Sequence, residues 1–266
     1  MNNLAKGYKS TYELFDSDFM SKFRSEAYDE DIGQHSWLTA SELKSYFTFL
    51  ALSDVSKFLD FGCGPGGPLT YITSKTEASG IGVDLSSDAL VAGRNRAKRM
   101  KIDNKIQFIE VDGNNHLDFP DNIFDAIISF DVILHLQNRL EVFSEWKRVL
   151  KTEGRLLFTD AGILAGAISN EDIKHRSING YTQFVVSEFN IRALKEVGFS
   201  KIAQEDQSIG VISNAKGRLK TANKYKKELT ELIGEQKYQQ EQDYLKTVVR
   251  LYENKALSRI AYKVMQ

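Results

Sequence analysis

The chain has 266 residues, of which 35 Lys and Arg stand against 36 Asp and Glu, so its net charge of −1 offers no global field for nucleic acid or an anionic membrane. That length fits one α/β domain carrying a substantial insertion. The single cysteine, Cys63, excludes an internal disulfide and paired-cysteine metal motifs, and no run of about 18 apolar residues or signal-like start is present. The expected compartment is the reducing cytosol, and the composition leaves the oligomeric state open.

Residues 1–52 are rich in aromatics: Tyr8, Tyr12, Phe15, Phe19, Phe23, Tyr28, Trp37, Tyr46, Phe47 and Phe49. Thr39-Ala40-Ser41-Glu42 is a capping box, so a helix begins there and leads into the first strand. The segment is expected to be a helical cap. Within it Tyr28, Gln34, His35, Ser36 and Trp37 form a polar and aromatic cluster whose ring faces suit a cationic group.

From residue 54 to 160 strand-like and helix-like patterns alternate, as they do along a parallel sheet covered on both faces. Strands are predicted at 57–61, 80–85, 106–111, 125–130 and 155–160. A helix starts near Ser86 or Ser87, with Asp88 in its first turn. Another spans 140–150, with Phe143, Trp146, Val149 and Leu150 on one apolar face, and ends at a Lys151-Thr152-Glu153-Gly154 turn. Beyond 160 the pattern loosens to 181, resumes as a helix over 187–197 and gives a short strand at 199–204. Residues 209–255 read as a long polar helical stretch, and 257–265 as a closing edge strand. The lysines between 216 and 227 are followed by Glu228, Glu231 and Glu235, which marks a solvated helix face rather than a nucleic-acid contact. His116 and His175 read as surface residues.

The predicted fold is therefore α/β: a Rossmann-like, seven-stranded, mostly parallel sheet with helices on both faces. An N-terminal helical segment (1–52) and a helical insertion (209–255) flank a core made of 53–208 and 256–266. These additions, with residues 161–185, are expected to cover the carboxyl ends of the strands, where such sheets hold ligands.

The most informative run is Phe58-Leu59-Asp60-Phe61-Gly62-Cys63-Gly64-Pro65-Gly66, an apolar strand that opens into three alternate glycines and a helix. Asp84 ends the next strand, which completes a βαβ unit with an acid placed for ribose hydroxyls. Two cofactors compete for such a unit. A nicotinamide dinucleotide must seat a pyrophosphate on the helix N-terminus, whereas S-adenosylmethionine brings only a carboxylate and a sulfonium. Asp60 just before the glycines and the rigid Pro65 within them favour S-adenosylmethionine.

Leu59-Asp60-Phe61-Gly62-Cys63-Gly64-Pro65-Gly66, Gly82-Val83-Asp84-Leu85-Ser86, Asp112-Gly113, Phe119-Pro120-Asp121-Asn122-Ile123-Phe124-Asp125 and Arg148-Val149-Leu150-Lys151-Thr152-Glu153-Gly154 occur in the order seen in class I S-adenosylmethionine-dependent methyltransferases, and the chain resembles that family over about residues 54–206. Through Asp131-Val132-Ile133-Leu134-His135-Leu136, the segment 28–37, and Arg176 and Tyr181, it looks most like the small-molecule amine branch, which includes phosphoethanolamine and sarcosine or dimethylglycine methyltransferases. Phosphobase enzymes carry an additional tyrosine where Ala161 follows Asp160 here. The resemblance implies that Asp60, Gly62, Gly64, Gly66, Asp84, Leu85, Asp112, Gly113 and Asp131 serve the cofactor. Asp84 would accept from the ribose hydroxyls and Asp112 from the adenine amino group.

His135, one turn after Asp131, is the candidate general base, because an imidazole with a pKa of ~6.5 takes a proton near neutral pH. Tyr28, Gln34, Trp37, Arg176 and Tyr181 are the candidate acceptor-binding residues. The expected activity is transfer of a methyl group, by direct displacement, to nitrogen of a small molecule, with oxygen or carbon as alternative acceptors. A cofactor-binding module without chemistry stands as the reading from another class. No metal, nucleic acid or membrane is expected to take part.

Overall fold

Strands with one apolar residue on each side of the chain need cover on both faces, and the computed structural model, which describes residues 12, 15, 17–177 and 181–265, supplies it. The parallel strands are β1 (Lys57–Phe61), β2 (Ser79–Asp84), β3 (Ile106–Glu110), β4 (Phe124–Phe130) and β5 (Leu150–Leu164). Two more, β7 (Lys201–Asp206) and β8 (Leu257–Met265), run antiparallel to their neighbours, and the order across the sheet is β3-β2-β1-β4-β5-β8-β7. A two-residue β6 (Val185–Val186) pairs with the end of β5.

Alternation divides each central strand between two cores. Leu59 and Phe61 join Trp146, Phe158 and Tyr262 on one face, while Phe58 joins Leu43, Leu69 and Leu157 on the other. The first face is aromatic: Trp146 lies edge-on to Phe61 at 5.2 Å, and Phe158 stacks on Tyr262 at 4.6 Å. The helices of the sheet are α4 (Gly67–Thr76), α5 (Ser87–Arg99), α6 (Arg139–Val149) and α8 (Ser187–Glu196), and Ser86 and Asn138 cap α5 and α6 as N-terminal acceptors.

Three expectations are corrected. Among the described residues eight strands are present where seven were predicted, the extra one being β6. The 257–265 strand is not an edge: it lies between β5 and β7, because Arg259, Ala261, Tyr262 and Val264 are buried, whereas the polar β7 tolerates solvent on its open side. Finally, β5 outruns its predicted 155–160. The 151–154 turn becomes an irregularity, with Leu150 opposite Phe124 and Arg155 opposite Ala126, and Ile163 and Leu164 continue the strand by pairing with Ser258 and Leu257.

Before the sheet come α1 (Asp18–Ala27), α2 (Ala40–Ser45) and α3 (Phe47–Leu50), with Thr39 capping α2 as the capping box requires. After β5 comes α7 (Asn170–Arg176), and between β7 and β8 come α9 (Ser208–Lys224), α10 (Lys226–Ile233) and α11 (Glu235–Glu253). α1 crosses α9 closely at Gly217, where a Cβ would stand 2.0 Å from the Ala27 carbonyl oxygen. The N-terminal segment and the α9–α11 helices therefore pack on each other as well as on the sheet. Among the described residues no helix is long and apolar enough to cross a membrane.

A buried ion pair fixes the end of β5. Arg139 and Asp160 have no exposed side-chain surface and pair directly; Arg139 also donates to Asn190 Oδ1 at 2.8 Å and Gln183 Oε1 at 2.8 Å, while Asp160 accepts from Asn190 Nδ2 at 2.9 Å and Gly162 N at 2.8 Å. Removing one partner leaves the other charge buried alone. Asp160→Ala should cost about 3–5 kcal/mol, read as a lower urea midpoint with an unchanged slope; an unchanged midpoint would refute the assigned pair.

Candidate active site

The order of the strands reverses between β1 and β4, and the crevice at their carboxyl ends is where the chain gathers its polar groups. Gly62 N and Cys63 N both donate to Val83 O, at 2.8 and 3.0 Å, which ties the glycine turn to β2. Gly64 has φ +52°, and the nearest atom to an added Cβ is Tyr12 Oη at 3.6 Å, so its backbone is open to a ligand. Asp84 braces the turn: its Oδ2 accepts from Gly64 N at 2.8 Å and its Oδ1 from Ser86 N at 2.9 Å. With a third backbone donor from Leu85, the carboxylate still retains acceptor capacity for a further donor.

Asp60 lies beneath this turn, 2% exposed, and its Oδ2 has no hydrogen-bond partner. Burial, reinforced by the charge on Asp84, pushes its carboxyl up to about 8. Burial also raises the Asp84 carboxyl, against the three backbone N–H groups that favour its charge. A buried acid with an unmet oxygen is a site waiting for a donor, and a cationic one satisfies both needs at once. At the end of β3, Asp112 Oδ1 accepts from Asn114 N at 3.0 Å and Asn114 Nδ2 at 2.9 Å. A Cβ on Gly113 would collide with the Phe61 ring at 2.6 Å, so only glycine lets this wall close on β1.

At the end of β4 the backbone of Asp131 turns left-handed, φ +61°, and leads into a 3-10 turn, Ile133–His135. The Asp131 carboxylate is engaged at both oxygens: Oδ1 accepts from Arg259 Nε at 2.7 Å and Thr159 Oγ1 at 2.8 Å, and Oδ2 accepts from Trp37 N at 2.9 Å. His135 Nδ1 lies 2.9 Å from the Tyr181 carbonyl oxygen. A carbonyl only accepts, so in the neutral ring Nδ1 carries the hydrogen and Nε2 keeps its lone pair. Burial lowers the His135 pKa, and Arg176 adds to the effect, against the Tyr181 carbonyl and the charges of Asp131 and Asp160, so the ring remains a free base at neutral pH.

Over these strand ends lies a cavity of about 1430 Å³, larger than the roughly 300–1,000 Å³ usual for one small ligand. It has room for a cofactor and an acceptor together. The cover comes from Tyr12, Tyr28, His35 and Trp37 on the N-terminal side and from Arg176, Arg218 and Tyr244 on α7, α9 and α11. Arg176 and Arg218 lie 5.8 and 5.5 Å from the centre of the Trp37 ring, which stacks on Tyr244; Arg176 also donates to Tyr244 Oη at 2.8 Å. Arg218 makes no ion pair among the described residues. Burial, with the nearby Arg218 and Arg24, lowers the His35 pKa to about 3, so that ring is neutral.

The structure brings Asp60, Gly62, Gly64, Asp84, Leu85, Asp112, Gly113, Asp131, His135, Tyr28, Gln34, Trp37 and Arg176 onto this one cavity. Two candidates fall outside its lining. Gly66 caps α4, and a Cβ there would meet Phe108 at 2.7 Å, so its role is packing. Tyr181 leaves its side chain 46% exposed and serves through its carbonyl oxygen. Two others line the cavity with their polar groups already committed. Asp131 is bound as described, and Gln34 accepts from Ile32 N at 2.9 Å and donates to Glu30 O, which shapes its own loop.

His175, read as a surface residue, sits exposed on the rim. Tyr8 lies outside the described residues. Sequence reasoning missed Arg218, Tyr244 and Arg259. Arg218 sits in a run of lysines whose neighbours do face solvent, and no local signal separates it from them.

Sheet order, glycine turn and acid at the end of β2 together define the class I methyltransferase fold, and the methyltransferase domain family matches residues 59–158. That match takes in the glycine turn, Asp84, Asp131 and His135 and leaves the rest of the chain outside it. Among individual proteins the chain is similar to phosphoethanolamine N-methyltransferase 3 of Arabidopsis thaliana, 28% identical over 196 residues that cover 74% of this chain and 39% of that protein. The chain thus spans well under half the length of that relative.

Its fold is that of Haemonchus contortus phosphoethanolamine N-methyltransferase 2, solved with phosphomonomethylethanolamine and S-adenosylhomocysteine: TM-score 0.82 at 19% identity, covering 98% of this chain and 60% of that one. The [4+2]-cyclase SpnF shares the fold across its whole extent, with TM-score 0.78 and 17% identity over 100% of this chain and 97% of that one.

The residues present fit S-adenosylmethionine: the unpartnered Asp60 Oδ2 would suit its ammonium group, the open Gly64 backbone leaves it room, and Asp84 keeps acceptor capacity that would suit its ribose. Without ligand, Asp60 holds its proton up to a pH of about 8, whereas an unfolded aspartate titrates at about 3.9. The unfolded chain therefore loses this proton first, and stability falls as pH rises between those values, then levels off. Calorimetric titration with S-adenosylmethionine near pH 7, in buffers of different ionisation enthalpy, should show release of up to about one proton. Asp60→Asn should abolish the release; equal release in both proteins would refute the assignment.

Proposed function

We propose that this protein transfers a methyl group from S-adenosylmethionine to the nitrogen of a small amine that also carries an anionic group. The carrying observation is His135: its Nδ1 is held by the Tyr181 carbonyl, its Nε2 is left unprotonated, and it shares a cavity with the glycine turn and Asp84. S-adenosylmethionine, when bound, supplies an electrophilic methyl group on a sulfonium. Asp60 and Asp84 would hold it, with the Gly62 and Gly64 backbone alongside, and Asp112 would take its base.

The chain's own residues then do three things. His135 Nε2 accepts the proton that an ammonium acceptor must lose, and its lowered pKa keeps it competent below the usual imidazole range. The rings of Trp37, Tyr28 and Tyr244 offer faces to a cationic amine and exclude water. Arg176 and Arg218 give the acceptor end a positive charge that a phosphate or carboxylate group would complement. The kinship with phosphoethanolamine N-methyltransferases supports nitrogen as the acceptor atom. Residues 53–208 and 256–266 serve in this reading as the cofactor-binding core, and 1–52 and 209–255 as the acceptor cover. A reducing cytosol suits the single buried Cys63.

Purified protein incubated with S-adenosylmethionine and a panel of zwitterionic amines should release S-adenosylhomocysteine with at least one of them. His135→Ala should lower turnover at saturating substrate by a factor of ~10²–10⁴ and leave cofactor affinity nearly unchanged. Equal turnover in parent and variant would remove His135 from the chemistry.

A further inference from the structure

Trp37 is held at its backbone from two directions. Its N–H donates to Asp131 Oδ2 at 2.9 Å, and its carbonyl oxygen accepts from Asn214 Nδ2 at 2.9 Å, a donor that also lies 3.3 Å from Leu38 O. The first partner belongs to the sheet and the second to α9. Asn214 is 2% exposed and Arg259, which fixes Asp131, is 0% exposed, so neither contact competes with solvent.

Arg259 does more than pair with Asp131. Its guanidinium also donates to both Glu42 oxygens, at 2.8 and 2.7 Å, and to Thr159 Oγ1 at 3.1 Å. Its backbone meets the root of α9: Gln207 N donates to Arg259 O at 2.8 Å, and Arg259 N donates to Ser208 Oγ at 3.1 Å. One residue of the last strand thus touches the start of the α9–α11 helices, the first turn of α2 and the turn that leads to His135.

We propose that Asn214 and Arg259 are positioning residues that clamp the Trp37 peptide, Asn214 from α9 and Arg259 through Asp131, so that the acceptor wall is assembled only when α9 is docked on the sheet. The Trp37 ring is what the clamp delivers: it carries Arg176 and Arg218 on its faces and stacks on Tyr244. The cofactor groups, Asp60, Asp84 and the glycine turn, make no contact with the clamp in their hydrogen bonding. The clamp therefore acts on the acceptor and not on the cofactor. Its kinetic consequence rests on the amine-methylation reading above, while its structural consequence does not.

The chain has two tryptophans, Trp37 and Trp146, so full-length protein labelled with 5-fluorotryptophan gives two fluorine resonances, which Trp37→Phe assigns. Asn214→Ala, and Arg259→Lys with its charge retained, should each shift or broaden the Trp37 resonance and leave that of Trp146, buried in the sheet core, in place. With an acceptor identified, both should raise its KM on the order of tenfold, with S-adenosylmethionine affinity within about twofold of the parent. An unmoved Trp37 resonance in Asn214→Ala overturns the clamp, as does a joint movement of both resonances, which marks general loosening. If Arg259→Lys does not fold, Asn214→Ala decides alone. A parent that methylates no amine sinks the acceptor reading and leaves the resonance test standing.

Discussion

Arg259 places a full positive charge where the sheet offers no water, and the ligand end of the molecule is arranged around meeting its needs. A buried guanidinium is tolerated only when its donors find carboxylates or other acceptors at good geometry. Glu42, Asp131 and Thr159 provide them, from the first helices, from the end of β4 and from β5. Tyr46 Oη, at 2.8 Å from Glu42 Oε1, extends the network into the N-terminal core. Elements far apart in sequence are thereby obliged to meet at one point, and that point lies directly behind Trp37 and the turn that carries His135. The left-handed backbone of Asp131, costly for a residue with a Cβ, persists because these bonds hold it.

The cavity in front of that network is electrostatically divided. Along the strand ends it is acidic, with Asp60, Asp84 and Asp112 facing the place where a sulfonium nucleoside fits. On the cover side it is basic and aromatic, with Arg176 and Arg218 against the Trp37 and Tyr244 rings. His135 lines the same cavity. Such a division sorts two ligands by charge, a cation toward the sheet and an anion toward the helices. Arg24, which also lines the cavity, pairs with Asp31 at 3.1 Å, so its charge is already met.

Much of this was legible from the chain itself, for identifiable reasons. The glycine turn and Asp84 are contiguous motifs whose spacing follows from the length of one strand and one helix. Helices over 187–196 and after Thr39 were announced by periodicity and by a capping residue. Asp131 and Tyr181 show the opposite case. Both were singled out as site candidates, but the first is spent on Arg259 and Trp37 and the second meets His135 through its backbone, and neither fact has a local signature. The placement of β8 inside the sheet likewise depended on which of two neighbouring strands could better bear solvent.

By itself the sequence determined the class of fold and the glycine turn with its bracing acid, because Gly64 and Asp84 stand only 20 positions apart in one βαβ unit. Only the tertiary structure decided which cations face the cavity, which carboxylates are already bound, and how Trp37 is held. Periodicity shows which face of an element is buried and not what it is buried against. Arg218 faces a cavity instead of water, and Arg259 a pair of acids instead of the sheet edge, because of partners 100 to more than 200 residues away.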